Sequence, residues 1–428
     1  MANYRYFVSG GPERYLFNIS EALAKKGHEV IPFSVRYSKN RPTPFDKFFV
    51  DPIGGDDEVT FQQHALTPRN VLRLLKRSFY DSGVERAARR ITEETCPDIA
   101  YVLHYLRKMS PALLVGLKNA GIPIVVRLSD YAMLCPAALC LRDEKPCEKC
   151  ANGSLWPSIL YRCVQNSRGV SFINAAATYF HRWRRYFDLI DYYIVTNPFM
   201  MDMMSRAGYP KARIACIPTF VNSDVFRPAD EKSSPRSIIY CGRLERIKGV
   251  HIAIHALALL RKRRPDLNWR FVIAGGGDSN YIRQLKNQAL MESLGDVIHF
   301  AGELDARAVA DDVARATLSL QTQLCYENLP NALLESYACG TPIIASDIGS
   351  LRYSVNEGMN GFHFATGSSA SLCDRIEYCL DHPERLAVMA QNARNTATSQ
   401  YSEASHVERL VSLFRQLVPR EFVDSCCL

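Results

Sequence analysis

At 428 residues the chain is too long for one ordinary domain and suggests two or three. Its 47% apolar and 22% charged residues exclude a disordered or fibrous protein and provide for a substantial core. The formal net charge of +8 suits an anionic substrate or an anionic membrane surface without choosing between them.

No run approaches the ~18–20 uninterrupted apolar residues of a spanning helix, and the N-terminus has no basic-then-apolar leader. A cytoplasmic protein is therefore expected. Most of the fourteen cysteines are expected to be reduced, small apolar residues. The final CCL lacks the cysteine that prenylation requires.

In chain order, YRYFV (Tyr4 to Val8) reads as a strand. A turn at Gly10 and Gly11 follows, then a helix with Leu16, Ile19 and Leu23 on one face, ended near Gly27. HEVIPFSV (His28 to Val35) supplies the next strand. Strand, glycine turn, helix and strand open a doubly wound α/β sheet.

The rhythm restarts at SIIYC (Ser237 to Cys241), a strand, followed by the helix KGVHIAIHALALL and the strand WRFVIAG. Then come VIHFAG, a helix near Asp305 to Ala316, LSLQTQ, a helix holding Glu335, PIIASD and GFHFAT. PTFVNSDVFRPADEKSSP (Pro218 to Pro235) is rich in proline, serine and charge and reads as the linker. The expected division is 1–220, 221–401, and a C-terminal helix and tail at 402–428. Two Rossmann-like domains would face each other across a cleft at the C-terminal edges of their sheets.

GRLERIKG (Gly242 to Gly249) puts Arg243 and Lys248 between a strand and a helix, where free N–H groups already favour an anion. Two cations there suit a diphosphate; the plain alternative is solvated surface charge. In ENLPNALLESYACGTPIIAS (Glu327 to Ser346), Pro330 fits the first helical turn and Asn328 or Leu329 the cap. Glu327 then sits at the cleft mouth, within reach of sugar hydroxyls, and Glu335 inside the helix, where it suits a ribose diol. The alternative is an acid favoured by a helix start and an ordinary exposed Glu.

These segments, with the AGGGD turn and NEGMNGFHF, resemble in order the nucleotide-sugar half of retaining glycosyltransferases of family 4 (glycosyl transferases group 1), which have the α/β GT-B fold. GGPERYLFNISEALAKKGHEV resembles the family's first βα unit and PTFVNSDVFRP its hinge segment. The resemblance implies that Arg243 and Lys248 bind and stabilise the donor diphosphate. It places Glu327 at the donor sugar and Glu335 at the ribose. Backbone around Asn328, Leu329 and Asn331, with Gly10, Gly11 and Gly276, would complete the donor site. Transfer would retain anomeric configuration and need no metal. No Asp-x-Asp clasp occurs in the chain, and fixed cations would do the work of a divalent ion.

RLSDYAMLCP (Arg127 to Pro136) departs from the pattern, with Ser129 before Asp130 where many relatives carry His. Asp130, or His104 in YVLHYLRKMSP, would then cover part of the role; the plain reading of His104 is a satisfied core histidine. A non-catalytic sugar-nucleotide-binding subunit and a nucleotide-sugar epimerase are the rival readings. A dinucleotide oxidoreductase falls behind, because no G-x-G-x-x-G follows either first strand.

Cys135, Cys140, Cys147, Cys150 and Cys163 crowd one segment. CEKC has a zinc-knuckle spacing, and Cys135 with Cys163 would complete a four-thiolate structural zinc site, leaving Cys140 spare. Buried reduced thiols are the alternative. The segment resembles an insertion in bacterial relatives that build surface polysaccharides.

RNVLRLLKRSF (Arg69 to Phe79) and TYFHRWRRYFD (Thr178 to Asp188) mix apolar or aromatic residues with cations, as an anionic membrane surface or a solvated core helix would both permit. The expected partners are a nucleotide-diphosphate sugar, a glycan or lipid-linked acceptor and the inner membrane face, with no nucleic acid.

Overall fold

The computed structural model describes residues 1–55, 57–58, 67–231 and 236–418. The end of the expected linker at 232–235, and the tail from 419 with its CCL, lie outside them.

The first sheet is parallel, in the order β1 (Ala2–Asn3), β2 (Ala100–His104), β3 (Ile124–Arg127), β4 (Tyr192–Val195), β5 (Ile214–Cys216). Val125, Val126 and Ile194 are buried, as in parallel strands covered on both faces. Helix α1 (Gly11–Lys25) buries Leu16, Ile19 and Leu23, the face its 3.6-residue spacing marks. Gly27, with φ 85°, ends it in the left-handed region.

Neither opening strand forms where its sequence suggests: Tyr4 to Val8 is not a strand, and the paired residues lie just ahead of it. Pairing reaches only Ala2–Asn3, and HEVIPFSV contributes isolated bridges at Phe33 and Val35. The apolar look of YRYFV misleads because Arg5 turns out of the run. Its guanidinium hydrogen-bonds Ser9 at 2.7 Å and pairs with buried Glu13 at 3.5 Å, bending the chain over the end of β2 towards α1.

Helix α2 (Pro68–Phe79) is capped by Thr67 and helix α3 (Arg168–Trp183) by Ser167, each hydroxyl accepting from an N–H of the first turn. They pack together on the outer side of this domain, where His181 Nε2 lies 2.8 Å from the Ser78 carbonyl. Helix α4 (Pro198–Arg206) starts at Asn197, whose side chain accepts from the Met200 N–H.

The second sheet runs β8 (Ile298–Gly302), β7 (Trp269–Ala274), β6 (Arg236–Cys241), β9 (Leu318–Gln321), β10 (Ile343–Ser346), β11 (Gly361–Phe364), all parallel. Numbered from its own first strand this is the 3-2-1-4-5-6 order of a doubly wound sheet, which reverses direction between β6 and β9. Helix α5 (Val250–Arg263) covers one face, burying Ile254, Leu257 and Leu260. Helix α6 (Asn331–Ala338) packs on the other with Leu333, Leu334 and Tyr337.

The last helix, α7 (Glu403–Leu417), leaves the second domain and packs on the first. Val407 and Leu410 join Leu16, Ile19 and Tyr101 in one apolar cluster, and the Tyr15 hydroxyl lies 2.8 Å from His406 Nε2. Where the chain crosses between domains, the Val221 N–H donates to the Tyr401 carbonyl at 3.0 Å.

Candidate active site

The switch between β6 and β9 brings two loops edge to edge. The Thr322 hydroxyl donates to the Lys248 carbonyl at 2.8 Å, and the Leu324 N–H to the Ile247 carbonyl at 2.8 Å. Gly249 permits this contact: its φ is 72°, and a Cβ there would lie 2.0 Å from the Thr322 carbonyl oxygen. The loop after β7 is fastened in the same way, with a Cβ on Gly275 reaching to 1.9 Å from the Gly242 carbonyl. Gly276 accepts from the Leu244 N–H at 2.8 Å and is overhung by the Glu303 carboxylate.

This clamp sets the Lys248 ammonium against Glu327 as a hydrogen-bonded ion pair, both side chains mostly covered. Burial disfavours the ammonium, but the Glu327 carboxylate outweighs it and holds the lysine above its ordinary value. The Cys325 thiol lies 3.8 Å from the same carboxylate and is pushed up to about 12 by burial. Arg243 is held differently: its side chain is 73% exposed and pairs with Glu245 at 3.0 Å. The two cations thus sit in one loop but on separate acids.

Helix α6 begins two residues beyond Leu329. Pro330 is its cap rather than its first helical residue, and Asn331 starts it. Leu329 is buried in the second domain's core, so only its backbone is available to a ligand. A Cβ placed on Gly11 would lie 3.4 Å from Asn331 Nδ2, so the starts of α1 and α6 approach each other across the cleft. Gly10 caps α1 in extended backbone. Two helix starts therefore aim N–H groups into one space, which favours an anion there. Glu335 is the fifth residue of α6. Burial pushes its carboxyl up to about 7, while Arg14 of α1 pulls the other way.

The opposing wall comes from the ends of β2 and β3. Asn328 Nδ2 donates to the Leu128 carbonyl at 3.2 Å, and the Tyr131 hydroxyl to the Glu327 carbonyl at 3.1 Å. Asn197 reaches the Asn328 carbonyl. Ser129 and Asp130 thus lie directly across from Glu327. Asp130 Oδ2 is 2.8 Å from His104 Nε2, and its Oδ1 accepts from the Ala132 N–H. Although burial opposes both charges, the pair raises the His104 pKa and lowers that of Asp130. His104 is therefore no satisfied core histidine, since its Nδ1 is buried without a partner. A cavity of about 70 Å³ adjoins the pair. Ser129 Oγ accepts from Arg127 at 3.2 Å.

Contacts that the sequence did not announce come from the cysteine segment. Its hairpin, Leu141–Arg142 with Lys145–Pro146, carries Glu144 to Arg246 of the second domain. Glu148 binds Arg206 at 3.0 Å and accepts from the Tyr326 hydroxyl at 2.7 Å, beside Glu327. Under this strap lies a cleft of about 1060 Å³ lined by Phe199, His251, Tyr326 and Tyr353 among others.

All five thiols of the segment are free, and among the described residues no group of three or more His, Cys, Asp or Glu is assembled to hold a metal. Cys140, expected to be spare, is instead the thiol against Cys135. The hydrogen bond between them draws the Cys135 pKa down to about 6, and with burial pushes that of Cys140 up.

Residues 222–396 match the family model described as Glycosyl transferases group 1. D-inositol 3-phosphate glycosyltransferase of Pseudarthrobacter chlorophenolicus is 27% identical over 51% of this chain and 56% of its own length. Glycogen synthase of Mycobacterium tuberculosis is 33% identical over 40% of each. The chain spans about half the length of the curated relatives it matches first. Among solved structures, Anabaena HepE in complex with UDP superposes with TM-score 0.67 at 16% identity, covering 97% of this chain and 99% of that one. Sucrose-phosphate synthase from Thermosynechococcus elongatus gives 0.66 at 18%, covering 97% and 95%. The fold is GT-B.

Proposed function

We propose that the protein is a metal-independent retaining glycosyltransferase of family 4 that moves a sugar from a nucleotide-diphosphate donor to a glycan or lipid-linked glycan. The reading places it in surface-polysaccharide synthesis, working against the inner membrane face. The observation that carries it is the Lys248–Glu327 pair, held by clamped loops at the sheet's switch point, beside the start of α6.

In this reading the bond from the anomeric carbon to the diphosphate oxygen breaks, and its electron pair leaves with the diphosphate. Lys248 and Arg243 stabilise the charge that develops there, together with N–H groups at the starts of α6 and α1. Glu327 takes hydroxyls of the sugar, which frees Lys248 for the phosphate. Glu335 takes the ribose diol. The acceptor hydroxyl oxygen bonds to the anomeric carbon on the face the diphosphate leaves, and its proton passes to the leaving phosphate. His104, oriented by Asp130, offers the sugar a hydrogen-bonding group from the wall where the short Ser129 hydroxyl is already bonded to Arg127.

Donor-only hydrolysis tests the reading, with UDP-sugars first because HepE was crystallised with UDP. Slow release of nucleoside diphosphate is expected, lost in Glu327→Ala while nucleotide binding persists. Binding without turnover, with either acceptor class supplied, would leave a sugar-nucleotide-binding subunit.

A further inference from the structure

The first domain carries an apolar surface that its own core does not use. On α3, Phe172, Tyr179 and Trp183 recur at positions 0, 7 and 11, one stripe of a 3.6-residue helix, and are 57%, 44% and 74% exposed. Elsewhere around the helix Ser171, Ala175, Ala177 and His181 are buried. Trp156 is 64% exposed beside this row, because the Tyr179 hydroxyl accepts from the neighbouring Leu155 N–H at 2.8 Å.

The row continues onto α2. Phe79 meets Phe180 edge-on at 5.7 Å, and Phe180 lies 6.0 Å from Trp183. Leu72 and Leu75, seven and four residues before Phe79, lie on the same face of α2 and are 56% and 37% exposed. The side chains therefore form one sheet of apolar surface across two helices, with indole rings at its edge.

Cations outnumber acids around it, although Arg77 is paired with Asp81 and Arg185 with Asp188. Residues 67–80 contain four cations and no acid, and residues 149–187 contain six cations and no acid. In a chain with 44 acidic residues, two acid-free stretches coincide with the exposed apolar surface. Arg69, Lys76, Arg168 and Arg184 are exposed, and the Arg184 guanidinium sits 5.9 Å from the Trp183 ring. A water-soluble partner would need its own apolar patch and acids at matching positions. A bilayer with anionic headgroups supplies both over any area, and tryptophan and arginine partition to its interface.

We propose that this face, α2 with α3 and Trp156, docks the protein on an anionic lipid surface. This deepens the reading of a lipid-linked acceptor and rests on it for purpose alone, since the surface exists whatever the chemistry. No helix of the described residues is long and apolar enough to cross a membrane, so attachment would be lateral.

The test is flotation of the full chain with vesicles of phosphatidylcholine alone or mixed with phosphatidylglycerol. Recovery with the mixed vesicles is expected to exceed recovery with the neutral ones and to fall with salt. Leu72→Ser with Trp183→Ser, both exposed and outside the donor site, should reduce the partition coefficient roughly tenfold. Arg69→Gln with Lys76→Gln should reduce it about fivefold per cation removed. Thermal shift by UDP, where the wild type shows one, and donor hydrolysis should be unchanged in these variants. Equal recovery with both vesicle types, or undiminished flotation of the Leu72/Trp183 variant, overturns the proposal. A dimer in sedimentation that this variant dissolves overturns it in favour of a second copy. Flotation with no donor hydrolysis keeps this proposal and removes the catalytic one.

Discussion

Lys248 and Glu327 neutralise each other across the seam between β6 and β9, each partner mostly hidden from water. The lysine is therefore held at the site, charged, until the donor sugar engages Glu327 and leaves the ammonium to the phosphate. A preorganised cation costs little reorganisation when charge develops on a leaving group. Lys248→Ala is expected to lower kcat/KM by about 10²–10³-fold. Steady-state kinetics with donor and acceptor checks this, and activity within a few-fold of wild type would remove Lys248 from the mechanism. The same variant leaves Glu327 without its ion-pair partner, so unfolding should need less denaturant, by about 1–3 kcal/mol. Adding Glu327→Gln should recover part of that stability but none of the rate.

Glu335 gives a pH signature. Its carboxyl titrates near 7 in the native state against an ordinary 4.5, so the folded protein holds this proton more tightly than the unfolded chain does. Stability from this group is complete below about 4.5 and declines as pH rises towards 7. Ligand binding should run the other way, because a carboxylate accepts both hydroxyls of a diol and a neutral acid accepts them less well. Nucleoside diphosphate affinity should rise between pH 6 and about 8. Glu335→Gln should flatten both slopes and weaken binding about tenfold; calorimetry over that range measures it.

His104 and Asp130 should act as a unit. His104→Ala and Asp130→Asn are each expected to lower kcat about 10²-fold while UDP-sugar affinity stays within a few-fold, and the double variant should be no worse than either single. Ser129→His in the His104→Ala background is the informative rescue, because it extends a ring from the same wall. Two single variants with wild-type kcat would make the pair purely structural.

The cysteine segment makes a chemical prediction. With its thiol drawn down by the hydrogen bond with Cys140, Cys135 should alkylate with iodoacetamide before the other cysteines of its segment at pH 7, and its rate should level off at a lower pH than theirs. Mass spectrometry of timed digests reads this directly. Zinc bound by the segment would instead protect Cys135 until a chelator is added, and metal analysis of the same sample would find about one equivalent per chain.

The second domain was the more legible half. Its strands are continuous apolar runs and its loops carry glycines whose backbone contacts allow nothing larger, so SIIYC, WRFVIAG and PIIAS lie where their pattern puts them. The opening strand was misplaced, at Tyr4 to Val8 rather than Ala2–Asn3, because an apolar run does not show that Arg5 turns away to Glu13. The spacing of Lys248 and Glu327 is 79 residues, and only the sheet's reversal brings them into contact. His104 and Asp130 meet because β2 and β3 are neighbours, and Glu148 meets Tyr326, 178 residues apart, because the strap crosses to the second domain. Pairing across strand ends is a property of strand order, which residue spacing does not encode.

The return of α7 to the first domain means that the polypeptide passes between the domains twice, and the two passages are fastened where Val221 donates to Tyr401. A single connecting strand is a swivel, free in every direction. Two strands side by side make a door hinge, with one easy axis and two stiff ones. Any opening of the cleft would thereby follow one arc, and closure along it would return Asn328 to Leu128 and Tyr131 to Glu327.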